Sequence, residues 1–151
     1  MRLFRLCKAQ FSESAFSGMG AHDYGGRWNS KGRHCVYLGE SRSVCLLETL
    51  AHLSDPNALD NFILFSIEVN DELVLTLPIH ALPENWRQYP APSELSEIGD
   101  EWLESMSSPI LLVPSVISLD NNAILNPKHP DSQTIIKLAM REPFSIDPRI
   151  V

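Results

Sequence analysis

Four short stretches of this 151-residue sequence carry side chains that could do chemistry. The first is Tyr24-Gly25-Gly26-Arg27-Trp28-Asn29. Adjacent glycines let the main chain approach a ligand closely, and a guanidinium is a rigid fork of donors suited to phosphate or carboxylate. The same stretch also reads as a plain turn with Arg27 as a surface charge. The second is Glu48 with His52, four residues on. In a helix from Ser41 to about Leu53, residues Val44, Leu46, Leu47, Leu50, Ala51 and Leu53 cover one broad apolar arc. Glu48 and His52 lie just beyond its edge, one turn apart. A carboxylate at such a margin is partly desolvated and must find a partner or change its proton affinity, which makes it a candidate catalytic group. A helix-flank Glu paired with His52 or with water is the alternative. The third is Pro114-Ser115-Val116 between two apolar runs, where a hydroxyl beside the core orients a neighbour, binds a ligand or satisfies the backbone of a bend. The fourth is Asn126-Pro127-Lys128-His129-Pro130-Asp131, a polar binding loop or a plain turn.

Several chemistries are excluded by what these stretches lack. The five histidines, His22, His34, His52, His80 and His129, form no H-E-x-x-H pattern and have no carboxylate cluster beside them, so no metal site is expected. Ser115 lacks the G-x-S-x-G elbow of a nucleophilic serine. No G-x-G-x-x-G follows a strand, and there is no P-loop.

The elements that must position these residues read as strands with two principal helices. Arg2 to Lys8 alternates in polarity and predicts a strand. Ser12 to Ser30 reads as a long ordered loop rich in Gly, Ser and Asn. Cys35 to Leu38 is a short β-type run, after which Ser41 caps the Glu48 helix and Asp55-Pro56 closes it. Asn61 to Val69 is the clearest strand, with Ile63, Phe65, Ile67 and Val69 on one face. Leu73 to Leu77 predicts a second strand, joined to it as a hairpin across Asn70-Asp71. Pro78 to Pro92 is a connection with one helical turn around Trp86, and Ser93 to Ser105 is a helix carrying Leu95, Ile98 and Trp102. Ile110 to Val113 and Val116 to Leu119 predict strands bent at Pro114. Asn121 to Asp131 predicts a loop, Thr134 to Met140 a strand or short helix, and the tail an extended segment. The mixed order predicts an α+β domain spanning residues 1–151, not a doubly wound one.

The bulk numbers agree with a single globular domain: 44% apolar and 21% charged residues. The net charge of -7, with no clustered Lys and Arg, argues against direct nucleic-acid binding. Three cysteines, Cys7, Cys35 and Cys45, without a C-x-x-C pair argue against a disulfide framework or thiolate zinc site. No apolar run is long enough for a membrane span and no signal-type segment is present, so a cytoplasmic protein is expected.

Taken in order, the segments resemble the RES domain, named for its Arg, Glu and Ser. The likeness runs from Tyr24-Gly25-Gly26-Arg27-Trp28-Asn29 through Gly32, Val36-Tyr37-Leu38 and Leu47-Glu48-Thr49-Leu50-Ala51-His52-Leu53. It continues at Leu82-Pro83 with Trp86, Gly99-Asp100-Glu101-Trp102-Leu103, Val113-Pro114-Ser115-Val116, Asn126-Pro127 with His129-Pro130, Pro143-Phe144 and Asp147-Pro148-Arg149. The resemblance implies an ADP-ribosyltransferase-like fold: a mixed or antiparallel sheet with a few helices around an NAD cleft. It implies a toxin of a type II toxin–antitoxin pair that cleaves NAD at the nicotinamide–ribose bond, with no metal. A protein ADP-ribosyltransferase and a non-catalytic binding module are the rival readings. It further implies Arg27, Glu48 and Ser115 as catalytic residues, and Arg27, Tyr37, Glu48 and Ser115 as NAD-binding residues, with His52 behind them. The implied partner is an Xre-type helix-turn-helix antitoxin in an oligomeric complex.

Overall fold

A computed structural model describes residues 1–55 and 57–151. Pro56, half of the expected helix stop, lies outside the described residues. The architecture is α+β, as the sequence predicts. Seven strands form one sheet: β1 (Arg2–Lys8), β2 (Val36–Gly39), β3 (Phe62–Glu68), β4 (Val74–Thr76), β5 (Ile110–Pro114), β6 (Asn121–Leu125) and β7 (Met140–Phe144). Their order across the sheet is β4-β5-β6-β2-β1-β3-β7. Neighbours are antiparallel except β4 and β5, which run parallel. The helices are α1 (Met19–Tyr24), α2 (Arg42–Ala51), α3 (Ser93–Ser105) and α4 (Ser132–Lys137).

Strand alternation sorts the core into two layers. Leu3, Val36, Leu38, Ile67, Leu112, Ala123 and Leu125 pack on one face together with Ile135 of α4. On the other face Leu111, Val113 and Ile124 pack with Trp28, Trp86, Leu95 and Trp102. Tyr37 and Gly39 point to that second face, because each is two residues from its like along β2. Both α2 and α3 pack on it, and the face they share carries the candidate site, called the cleft below.

The structure departs from the expected pattern in six places. Residues 73–77 form no hairpin with β3. The Asn70 side chain accepts a hydrogen bond from the Glu72 amide (3.3 Å), starting a 3-10 turn at Asp71–Leu73 that carries the chain across the sheet to pair with β5. Val116–Leu119 is a bend rather than a strand, folded by Ser115, whose Oγ accepts from the amides of Ile117 (3.1 Å) and Ser118 (3.2 Å). That bend lets Asn121–Leu125, expected as loop, return as a strand between β5 and β2. The 12–30 loop contains α1. On α2 the inward residues are Val44 and Cys45, while Leu47 turns outward. The segment expected as strand or short helix over 134–140 is helix α4 as far as Lys137, and edge strand β7 begins at Met140.

Two close approaches hold the second layer down. A Cβ on Gly99 of α3 would overlap the carbonyl oxygen of Trp28. A Cβ on Gly39 would sit 2.5 Å from Val44 Cγ1 and 2.7 Å from Cys45 Sγ. Burial pushes the Cys45 thiol up from 9.0 to about 11, and Cys35 and Tyr37 are also raised chiefly by burial. A group held protonated by the fold contributes stability that is present below its ordinary pKa and lost as pH rises through its raised one. The protein is therefore expected to lose stability between pH 9 and about 11, and Cys45→Ala to flatten that slope in urea titrations. Gly99→Ala is expected to cost about 2–3 kcal/mol, seen as a lower urea midpoint at unchanged m-value.

Candidate active site

Glu48 reaches the cleft because α2 starts where it does. Ser41 caps the helix, its Oγ accepting from the Val44 amide at 3.1 Å. Glu48 lies one turn after the buried Val44 and so faces inward, half-buried, rather than along the flank. Gly39 gives Val44 and Cys45 room to rest on the sheet. The register of β2 with β6 sets Gly39 opposite Asn122, and this brings the Asn122 amide to the Glu48 carboxylate.

Two donors then meet one oxygen. Glu48 Oε1 accepts from Ser115 Oγ at 3.0 Å and from Asn122 Nδ2 at 2.6 Å. Ser115 is buried, and its lone pairs are occupied by the Ile117 and Ser118 amides, so its proton is directed to Glu48. Oε2 receives no hydrogen bond from the described residues. His52 plays a different part from the one expected: its Nδ1 meets the Glu48 carbonyl oxygen (2.8 Å), at the helix end, and not the carboxylate.

Arg27 is delivered by a stretch fixed from three sides. Trp28 is buried in the aromatic core and packs over Gly99. Asn29 is buried, with its Nδ2 donating to the carbonyls of Ala21 (2.8 Å) and Ser30 (3.1 Å). The Ser30 amide donates to Asp100 Oδ1 of α3 at 3.0 Å. Tyr37 supplies the link to the sheet: its hydroxyl donates to Asn29 Oδ1 (2.7 Å) and accepts from the Trp28 amide (3.0 Å).

The guanidinium of Arg27 donates from Nη1 to the Trp86 carbonyl (2.8 Å) and from both Nη atoms to the Gln88 carbonyl (3.1 and 3.2 Å). It thus fastens the 86–88 segment to the stretch that carries Arg27. These acceptors are neutral, so the positive charge is not cancelled. Burial lowers the Arg27 pKa, while Glu48 and then Tyr37 act against that shift. The structure thus joins Ser115 directly to Glu48, ties Tyr37 to the stretch that carries Arg27, and sets Arg27 within electrostatic reach of Glu48. Sequence reading missed Asn122, because Asn121-Asn122 resembles a turn; its signal was its place two residues before Ile124, on the same strand face. The 126–131 stretch stands apart as a turn, its polar groups bound to the Leu103 carbonyl, the Lys128 amide and the Met106 carbonyl. Among the described residues no group of three His, Cys, Asp or Glu could hold a metal ion, and no helix is long and apolar enough to cross a membrane.

A family model described as the RES domain matches residues 2–147. A relative named Toxin Res from Yersinia enterocolitica is 44% identical over 151 residues, covering 99% of each chain. A protein named Prs ADP-ribosylating toxin from a Sphingobium species is 37% identical over 139 residues, 89% of this chain and 86% of that one. The fold is similar to that in the crystal structure of the M. tuberculosis MbcT–MbcA toxin–antitoxin complex, with a TM-score of 0.71 and 21% identity, over 99% of this chain and 85% of that chain.

Tyr37→Phe is expected to leave Asn29 Oδ1 and the Trp28 amide without their shared partner. The cost is about 1–3 kcal/mol, measurable by urea unfolding, with earlier proteolysis between residues 24 and 30.

Proposed function

The chain belongs to the RES domain family, and from that premise we propose that it is the toxin of a toxin–antitoxin pair that consumes NAD by breaking the nicotinamide–ribose bond. The names of the relatives support the toxin reading. The observation that carries the chemistry is the Glu48 carboxylate, held through one oxygen by Ser115 and Asn122, with the uncancelled charge of Arg27 near it.

In NAD the nicotinamide nitrogen is cationic. When its bond to ribose C1′ breaks, the electron pair goes to that nitrogen, the ring leaves neutral and positive charge builds on the sugar. The transition state is oxocarbenium-like, as in glycoside hydrolysis. The leaving group is already activated, so the site needs one carboxylate and not a protonating partner. Glu48 opposes the charge on the ribose and takes a hydrogen bond from a ribose hydroxyl. Arg27 holds a phosphate of the dinucleotide. Tyr37 keeps the Arg27 loop seated and borders the nicotinamide side. Ser115 and Asn122 are positioning residues that act through Glu48. The acceptor at C1′ is water or phosphate.

Transfer of ADP-ribose to a protein is the second reading, favoured by the name of the Sphingobium relative. An antitoxin that covers the cleft is the proposed partner, of the Xre helix-turn-helix type; the solved relative, crystallised as a toxin–antitoxin complex, supports such a partner.

Folded Glu48→Gln is expected to release nicotinamide about 10²–10³ times more slowly than wild type. Wild-type release by that variant overturns the reading. Carbon-labelled NAD separates its two forms: label in free ADP-ribose or its phosphate marks cleavage, label on a protein band marks transfer. Asn122→Ala is expected to lower kcat about tenfold or more with a smaller change in KM, because the lost interaction serves the transition state.

A further inference from the structure

A second charged feature lies away from Glu48. Where β1 and β2 diverge, a cavity of about 210 Å³ opens beneath residues 11–21. Arg5, Cys7, Ser14, Gly18, Cys35 and Tyr37 are among its lining residues. Neither Glu48 nor Arg27, Ser115 or Asn122 lines it. The two strands pair only at Phe4 and Gly39. Beyond that point Arg5 takes over, donating from Nη1 to the Tyr37 carbonyl at 2.8 Å.

Among the described residues this is the guanidinium's one hydrogen bond. Its Nε is buried with no partner, and among the described residues Nη2 donates to no carboxylate. Arg2, Arg33, Arg42, Arg141 and Arg149, by contrast, each have a carboxylate at the surface. The groups whose charge acts on Arg5 are the thiols of Cys7, Cys45 and Cys35, and burial pushes the pKa of all three up, toward the neutral form. Arginine itself does not give up its proton. A cation in such surroundings is costly unless an anion reaches it.

We propose that this cavity is an oxyanion site, in which the free Nη edge of Arg5 binds a phosphate group. The group belongs either to free inorganic phosphate or to a phosphate carried on the dinucleotide. The site's geometry does not depend on the NAD reading, and the phosphate arm of the test stands without it.

The test follows the Arg5 Nε–H resonance by ¹H–¹⁵N NMR, identified by its loss in Arg5→Lys. Inorganic phosphate is titrated into the wild-type protein. A saturating shift with a dissociation constant of about 1 mM or tighter is expected. A second variant covers the case in which Arg5→Lys does not fold. Cys7 lies two residues along the same strand face, so Cys7→Asp supplies an internal carboxylate at the cavity wall. There the phosphate response is expected to weaken about tenfold or more. NAD added to Glu48→Gln then separates the sources: NAD that displaces phosphate assigns the dinucleotide, and phosphate that stays bound assigns the free ion. An Arg5 resonance unmoved by both, or a phosphate response equal in Cys7→Asp and wild type, overturns the proposal.

Discussion

Tyr37 and Gly39 stand two residues apart on β2 and therefore face the same side of the sheet. One has a hydroxyl at its end, and the other has no side chain. The hydroxyl holds the Trp28 amide and Asn29, which places Arg27. The missing Cβ admits Val44 and Cys45, which places Glu48 one turn later. A strand of four residues thus sets both charged groups of the cleft, from opposite sides and with different chemistry. It can do so because β6 pairs with it along its whole length. A slip of one residue would turn Tyr37 and Gly39 to the α4 face and move Asn122 away from Glu48.

The carboxylate depends on the same register through a second route. Asn122 stands opposite Gly39, and Ser115 comes from the bend that joins β5 to β6. Ser115 has two jobs that need each other. As an acceptor it folds the bend through two amides, and with its lone pairs so occupied its proton turns to Glu48. The loop geometry and the orientation of the acid are therefore one arrangement. This accounts for a buried hydroxyl at the end of a wholly buried apolar strand, where an unsatisfied one would be costly.

Elements whose cause is local were readable from the sequence. Strand β1, the Ser41 cap and helix α3 lie where periodicity and capping put them. What was not readable has a long-range cause. Strand β6 begins with two asparagines, which favour turns, and it is a strand because β2 and β5 are there to pair with it. Likewise β4 looks like the return arm of a hairpin until Asn70 starts a 3-10 turn. At the cleft, raw residue patterns left Arg27, Glu48 and Ser115 open and did not raise Tyr37; all four came from the RES resemblance. Asn122 escaped both, since its part appears only when Gly39 is set against it.

Net charge hid the electrostatics of the cleft most completely. The chain carries -7 overall, yet its surface arginines are largely spent on local carboxylates: Arg2 on Glu68, Arg33 on Glu104, Arg141 on Glu13 and Arg149 on Asp147. Exposed pairs of this kind contribute little to stability and little field beyond a Debye length. Arg27 is bonded instead to carbonyl oxygens of Trp86 and Gln88. A neutral acceptor fixes the direction of a guanidinium without cancelling its charge. Partial burial then strengthens that charge's reach toward an anion, because less water screens it. An acidic protein can therefore present a local cation to a phosphate, provided the cation is tethered to the backbone rather than bonded to a carboxylate.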